Sequence, residues 1–181
     1  MKPGEGEVML RFVMRILLSP GAVMAINAVI LVLMIMVAYD ALHGLMTMTD
    51  LTEPMEVIED IGVIMIGWGV ALEERKEMRL IFGLVNPANE AWQEEVDRAC
   101  HRTGIGQLVF GLFIEICLSI VRLPSRIVDT TTIDQYLVGV GTVFLGIGLF
   151  ILVRHNIVLA KLMGTSNNGV VDRCMRVIGL T

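Results

Sequence analysis

Long apolar runs separated by short charged stretches set the pattern of the chain. Gly21–Leu42 (GAVMAINAVILVLMIMVAYDAL) and Gln135–Val153 (QYLVGVGTVFLGIGLFILV) each come close to the roughly 20 residues a helix needs to cross a hydrocarbon core. Thr103–Leu123 (TGIGQLVFGLFIEICLSIVRL) is as long but carries polar residues at its centre. A fourth run, about Met55–Glu74, is free of charge only over Ile61–Leu72. That stretch would rise only about 18 Å. Extending it to full length draws Glu56, Glu59 and Asp60 toward its outer end. The pattern predicts spans at about 21–42, 55–74, 103–123 and 135–153, with a re-entrant second segment as the alternative.

The remaining chain is too short for an independent domain. Residues 1–20 form an N-terminal segment, 21–163 the spanning part and 164–181 a tail. Val8–Leu18 (VMLRFVMRILL) reads as a short basic amphipathic helix lying in the headgroup region, where Arg11 and Arg15 meet anionic lipid. It does not read as a cleavable signal, because those arginines interrupt the early apolar residues and a full-length span follows. Pro20, after Ser19, starts the first span or turns sharply into it. Between spans two and three, EERKEMR is expected to carry the second helix into water. A turn marked by Gly83, Asn86, Pro87 and Asn89 follows, then a short helix over about Glu90–His101 with Trp92 at the membrane interface. A GTSNNG break at Gly164–Gly169 precedes the tail.

Composition and charge sharpen this picture. The chain is 55% hydrophobic, which with its long runs predicts an integral membrane protein. Twelve basic residues fall on one side of the predicted spans, and only Arg122 and Arg126 on the other. The positive-inside rule then puts both termini in the cytoplasm. The expected fold is an all-α, four-helix membrane bundle in a bacterial-type inner membrane, N-in and C-in. Asp40, Asp50, Glu53, Glu56, Glu59, Asp60, Asp129 and Asp134 fall at or near the outer face, with Glu56, Glu59 and Asp60 as its acidic cluster.

The third span holds the candidate chemistry. Gly104, Gln107, Gly111, Glu115, Ser119 and Arg122 recur at steps of three or four, which makes one helical stripe. Glu115 lies about 12 Å from the outer end by helical rise. A carboxyl group at that depth must face protein or a water-filled cavity. Gln107, Glu115, Ser119 and Arg122 are therefore the candidate intramembrane polar group or ion path. Small residues mark the neighbouring spans: Gly139, Gly141, Gly146 and Gly148 in span four, Gly62 and Gly69 in span two. Such spacing lets backbones approach, within one bundle or between protomers.

Other chemistry has little footing. There is no GxSxG elbow, HExxH or phosphate-binding GxxxxGK[ST], so no enzyme is predicted. Span four has no regularly spaced arginines, which argues against a voltage sensor. Cys100, Cys117 and Cys174 are expected as free thiols. Glu94, Asp97 and His101 fall at i, i+3 and i+7 and could converge on a metal, but a solvated charged face explains them more simply, and no metal is predicted. No cofactor is predicted either. The haem arrangement on offer is His101 with His155, both at the water boundary of their spans rather than inside the bundle.

The run SIVRLPSRIVDTTTIDQYLVGV, through Ile120, Val121, Arg122, Leu123, Asp129 and Asp134, resembles the corresponding stretch of the small four-span phosphate-starvation-inducible membrane proteins. The resemblance covers about a quarter of the chain. It implies a four-helix inner-membrane protein and no particular activity.

Two functions remain. In one, the stripe is structural and the protein is a non-catalytic accessory or scaffold subunit. In the other, an oligomer conducts protons or cations along a path centred on Glu115. The expected partners are the lipid bilayer and either further copies or other membrane subunits, with no nucleic acid.

Overall fold

The computed structural model describes residues 5–47, 52–85, 90–122 and 131–177, and all the regular structure in them is helical. Helix α1 spans Glu5–Leu17, α2 Pro20–Thr47, α3 Thr52–Glu73, α4 Arg75–Ile81, α5 Glu90–Arg122 and α6 Thr131–Val177. Ser19 separates α1 from α2 and caps the latter, its Oγ accepting the Ala22 N–H at 3.2 Å. Pro20 occupies the first helical position, where its missing N–H costs nothing.

Three helical segments are long and apolar enough to cross a membrane, namely Pro20–Thr47, Glu90–Ser119 and Gln135–Gly164. The expected second span coincides with α3, which falls short of that standard because Glu56, Glu59 and Asp60 crowd its first half. Large apolar side chains face outward along the helices, among them Val29, Val32, Met36, Val63 and Phe150. A water-soluble surface would not tolerate so many together.

Two expected breaks are absent. The helix expected over Glu90–His101 runs without interruption into the third span as α5, and the GTSNNG stretch continues α6 to Val177. Among the described residues only Gly83 has a positive φ, so the other glycines keep ordinary backbone. Gly83, at φ 63°, ends α4 in a Schellman arrangement: Gly83 N–H donates to Leu80 O and Leu84 N–H to Arg79 O. Asn86, Pro87 and Asn89 of the expected turn lie outside the described residues.

The long helices α2, α3, α5 and α6 pack around a shared core in antiparallel succession. Asn27 of α2 meets Trp68 of α3 and Asn156 of α6. Gly62 of α3 meets Ile114 of α5, while Gly69 meets Gly104. On α6, His155 meets Thr103 and Phe144 meets Phe113. Buried positions on α2 are Pro20, Val23, Asn27, Ile30, Met34, Val37, Ala41 and Gly44. On α6, Val138, Gly141, Leu145, Gly148, Leu152, His155 and Leu159 are buried. Both sets alternate steps of three and four, the 3.5-residue repeat of helices that cross at a shallow angle and interlock side chains. Ile58, Met65, Ile114, Leu118 and Leu145 fill the centre of this core.

Candidate functional site

Helix α5 places its small residues against α3. A Cβ on Gly104 would lie 2.5 Å from the Gly69 carbonyl oxygen and 2.7 Å from Glu73 N. One on Gly111 would lie 2.7 Å from the Gly62 carbonyl oxygen. Backbone therefore meets backbone, and no residue larger than glycine fits either place without a shift. On α6 the four glycines divide by face. Gly148 is closed by Met65 and Met34, and Gly141 meets Ile58, whereas a Cβ on Gly139 or Gly146 would meet nothing within 4 Å.

The polar residues of the stripe do not share one environment. Gln107 is only 1% exposed, and its Nε2 donates to the Gly148 carbonyl at 2.6 Å, tying α5 to α6. Glu115 is half-buried: its Oε1 is shielded from solvent and lies 3.1 Å from where a Gly62 Cβ would be. Ser119 is exposed on the outside of the helix. Arg122 ends α5, and its side chain lies outside the described residues. Gln107 and Glu115 thus face inward while Ser119 faces away. Of the acidic cluster, Glu56 and Asp60 are exposed and Glu59 is half-buried. Asp50, Arg126 and Asp129, the side chains of Glu53, Ile120, Val121 and Asp134, and Leu123 lie outside the described residues.

A second polar knot joins three helices at the depth of Asn27. This residue is fully buried; its Oδ1 accepts from Trp68 Nε1 at 2.7 Å and its Nδ2 donates to Asn156 Oδ1 at 2.9 Å. The sequence marks Asn27 only as an isolated amide in an apolar run. A buried amide in such a run needs partners, and that is the signal that points to it.

A third polar group lies where α4 meets the start of α5. EERKEMR does not stand in water on every side: Arg75 is 1% and Arg79 8% exposed. Arg75 donates to Asp97 Oδ1, and Arg79 donates to Asp97 Oδ2. Arg75 also gives Nε and Nη2 to the Leu18 carbonyl at 3.0 and 2.7 Å, and Nη2 to Gln93 Oε1 at 3.2 Å. Burial pulls the Arg75 guanidinium below its ordinary range; Asp97 opposes this, and Arg79 adds to it. The helix-face triplet of Glu94, Asp97 and His101 accordingly splits, with Glu94 and His101 exposed and Asp97 turned to the arginines. Among the described residues no group of three His, Cys, Asp or Glu side chains could hold a metal ion.

His155 and His101 do not face one another across a shared site. His155 is buried, with Nδ1 3.0 Å from Thr103 Oγ1 and Nε2 3.8 Å from Cys100 Sγ, while His101 is exposed. Cys100 and Cys117 are free thiols, and Cys174 has no described side chain. Trp92, expected at the interface, is half-buried and donates Nε1 to the Leu162 carbonyl at 2.9 Å, docking the start of α5 on α6. Comparison with protein-family models, curated proteins and solved structures finds no match to this chain.

Proposed function

We propose that this is a small four-span inner-membrane protein, N-in and C-in, that acts as a non-catalytic accessory or scaffold subunit of a membrane assembly. The observation that carries the reading is the use made of the stripe on α5. Gly104 and Gly111 close the contact with α3, and Gln107 spends its amide on the Gly148 carbonyl of α6. Polar and small residues that could have lined a path are occupied in helix packing. Ile114, Leu118, Met65 and Leu145, all 0% exposed, fill the space beside them. In this reading α3 completes the spanning set through its α5 contact despite its acidic first half. The likeness to the phosphate-starvation-inducible proteins belongs to the same reading, since it implies architecture without an activity.

Conduction is the second reading, and it is favoured by Glu115 alone, whose Oε1 is enclosed at a depth where acids are costly. One preparation tests both. The protein is purified from its native membrane in mild detergent, its complex weighed by native mass spectrometry, and its wild-type and Glu115→Gln forms placed in liposomes. Stoichiometric co-purification with other membrane subunits, and no proton or cation flux, is the expected result. A homo-oligomer whose flux falls on Glu115→Gln would overturn the accessory reading in favour of conduction.

A further inference from the structure

Arg15 of α1 and Arg75 and Arg79 of α4 line one pocket of about 200 Å³, walled by Leu18, Leu84 and Gln93. Among the described residues no carboxylate lines it. The nearest acid in contact, Asp97, is shared between Arg75 and Arg79, so one negative charge faces two nine-tenths-buried guanidiniums, and Arg15 adds a third positive charge at the rim. Such a surplus beside a cavity invites an anion, because a buried cation is costly until countered. Guanidiniums carry planar, forked donors that suit phosphate oxygens, and Arg75 keeps one of its five N–H groups after its bonds to Leu18, Gln93 and Asp97. Gln93, whose Oε1 is engaged by Arg75, has amide hydrogens left to donate.

The surroundings indicate where the anion comes from. The pocket opens where α1 ends and α2 begins. Along α1, Val8, Met9, Phe12 and Ile16 are all more than half exposed, which suits a helix lying in a lipid surface. The Arg15 side chain then stands at the level of lipid phosphates.

We propose that Arg15, Arg75, Arg79 and Gln93 form a binding site for a phosphate-type oxyanion, of the kind carried by an anionic phospholipid headgroup or by free phosphate. The site goes beyond the accessory reading and stands whether or not that reading holds. It ties the interfacial α1 to α4 and α5 through the anion.

The test uses the full chain, delipidated in a mild detergent. Binding is read by native mass spectrometry and by thermal unfolding with three probes: short-chain phosphatidylglycerol, phosphatidylcholine of the same chain length, and inorganic phosphate. Phosphatidylglycerol should bind and raise the melting temperature where phosphatidylcholine does not. Arg79→Gln should weaken that binding about tenfold, and Arg15→Gln about fivefold. Arg15 is exposed, so its variant keeps the fold even if Arg79→Gln does not. Binding of inorganic phosphate with the same sensitivity supports the site and assigns it to the free anion. If neither phosphatidylglycerol nor inorganic phosphate binds in a way that Arg15→Gln weakens, the proposal is overturned, whatever the two lipids do otherwise.

Discussion

Trp68 Nε1 donates to Asn27 Oδ1 at 2.7 Å, and the same amide passes a hydrogen bond on to Asn156, so one side chain joins α2, α3 and α6. In an apolar interior neither the indole N–H nor the amides find water as a substitute, and the three helices are registered against each other at this depth. Shape alone would allow a slide along the heptad seam. The Asn27 knot fixes the register.

Asn27→Leu should therefore destabilise the fold by about 1–2 kcal/mol, since it removes two bonds and strands the Trp68 N–H. Trp68→Phe should cost about as much, because it leaves the buried Asn27 Oδ1 without its donor and empties the space of the larger ring. Unfolding in detergent by added denaturing surfactant measures both. A double-mutant cycle should give a coupling of about 1 kcal/mol. Independent effects of the two substitutions would mean that the bond contributes nothing.

Glycines on the two sides of the packing should answer differently to the same substitution. A Cβ on Gly69 would lie 2.7 Å from Leu108 N and 2.8 Å from Gly104 O, both backbone atoms that cannot step aside. Gly69→Ala and Gly104→Ala should each cost about 1–3 kcal/mol by forcing α3 and α5 apart. Gly62→Ala meets only Ile114 and Glu115 side-chain atoms at 3.0 and 3.1 Å, so it should cost less. Gly67→Ala, Gly139→Ala and Gly146→Ala meet nothing within 4 Å and should be neutral or stabilising by up to about 1 kcal/mol, the gain in helix propensity. Melting temperatures of the purified variants rank the series.

These relationships also show which parts of the fold can be read in the chain. Apolar runs identify α2 and α6 because a lipid-facing helix is apolar on every side. For the same reason they hide which face packs inward: Met34 is fully buried and Met36 largely exposed, with nothing in hydrophobicity to tell them apart. The inward face is marked instead by small and polar residues, and the stripe of Gly104, Gln107 and Gly111 was legible on that ground. Ser119 belongs to the same stripe and yet faces out, because the three successive steps of four from Gln107 through Gly111 and Glu115 carry it about 120° around a helix of 3.6 residues per turn. Arg75, Arg79 and Asp97 were not legible as a group. They lie in a charged stretch that looks solvated, and only the fold of α4 onto α5 brings them together.

Gln107 separates packing from polarity. Its Nε2 donates to a Gly148 carbonyl, which as part of α6 has its own helical partner to fall back on. Gln107→Leu should cost under about 1 kcal/mol. Gln107→Glu should cost at least about 2 kcal/mol, because a carboxylate has no donor to offer that carbonyl and is desolvated besides. Unfolding of the two variants side by side is the measurement, and equal costs would remove the hydrogen bond from the account of how α5 and α6 meet.

Asp97 should be the most sensitive of the buried charges. It is the carboxylate that takes bonds from both Arg75 and Arg79, and its side chain is only 4% exposed. Asp97→Asn keeps the shape but leaves two guanidiniums side by side, which should cost about 3–5 kcal/mol. Arg79→Met removes one cation and leaves a balanced Arg75–Asp97 pair, so its cost should be clearly smaller. Adding Arg79→Met to Asp97→Asn should recover part of the loss, since repulsion between the arginines disappears with one of them. Salt should change these differences little, because buried pairs are poorly screened. The four proteins, wild type included, are compared by unfolding at low and high ionic strength. If the double variant is no more stable than Asp97→Asn, repulsion between Arg75 and Arg79 is not what Asp97 holds in check.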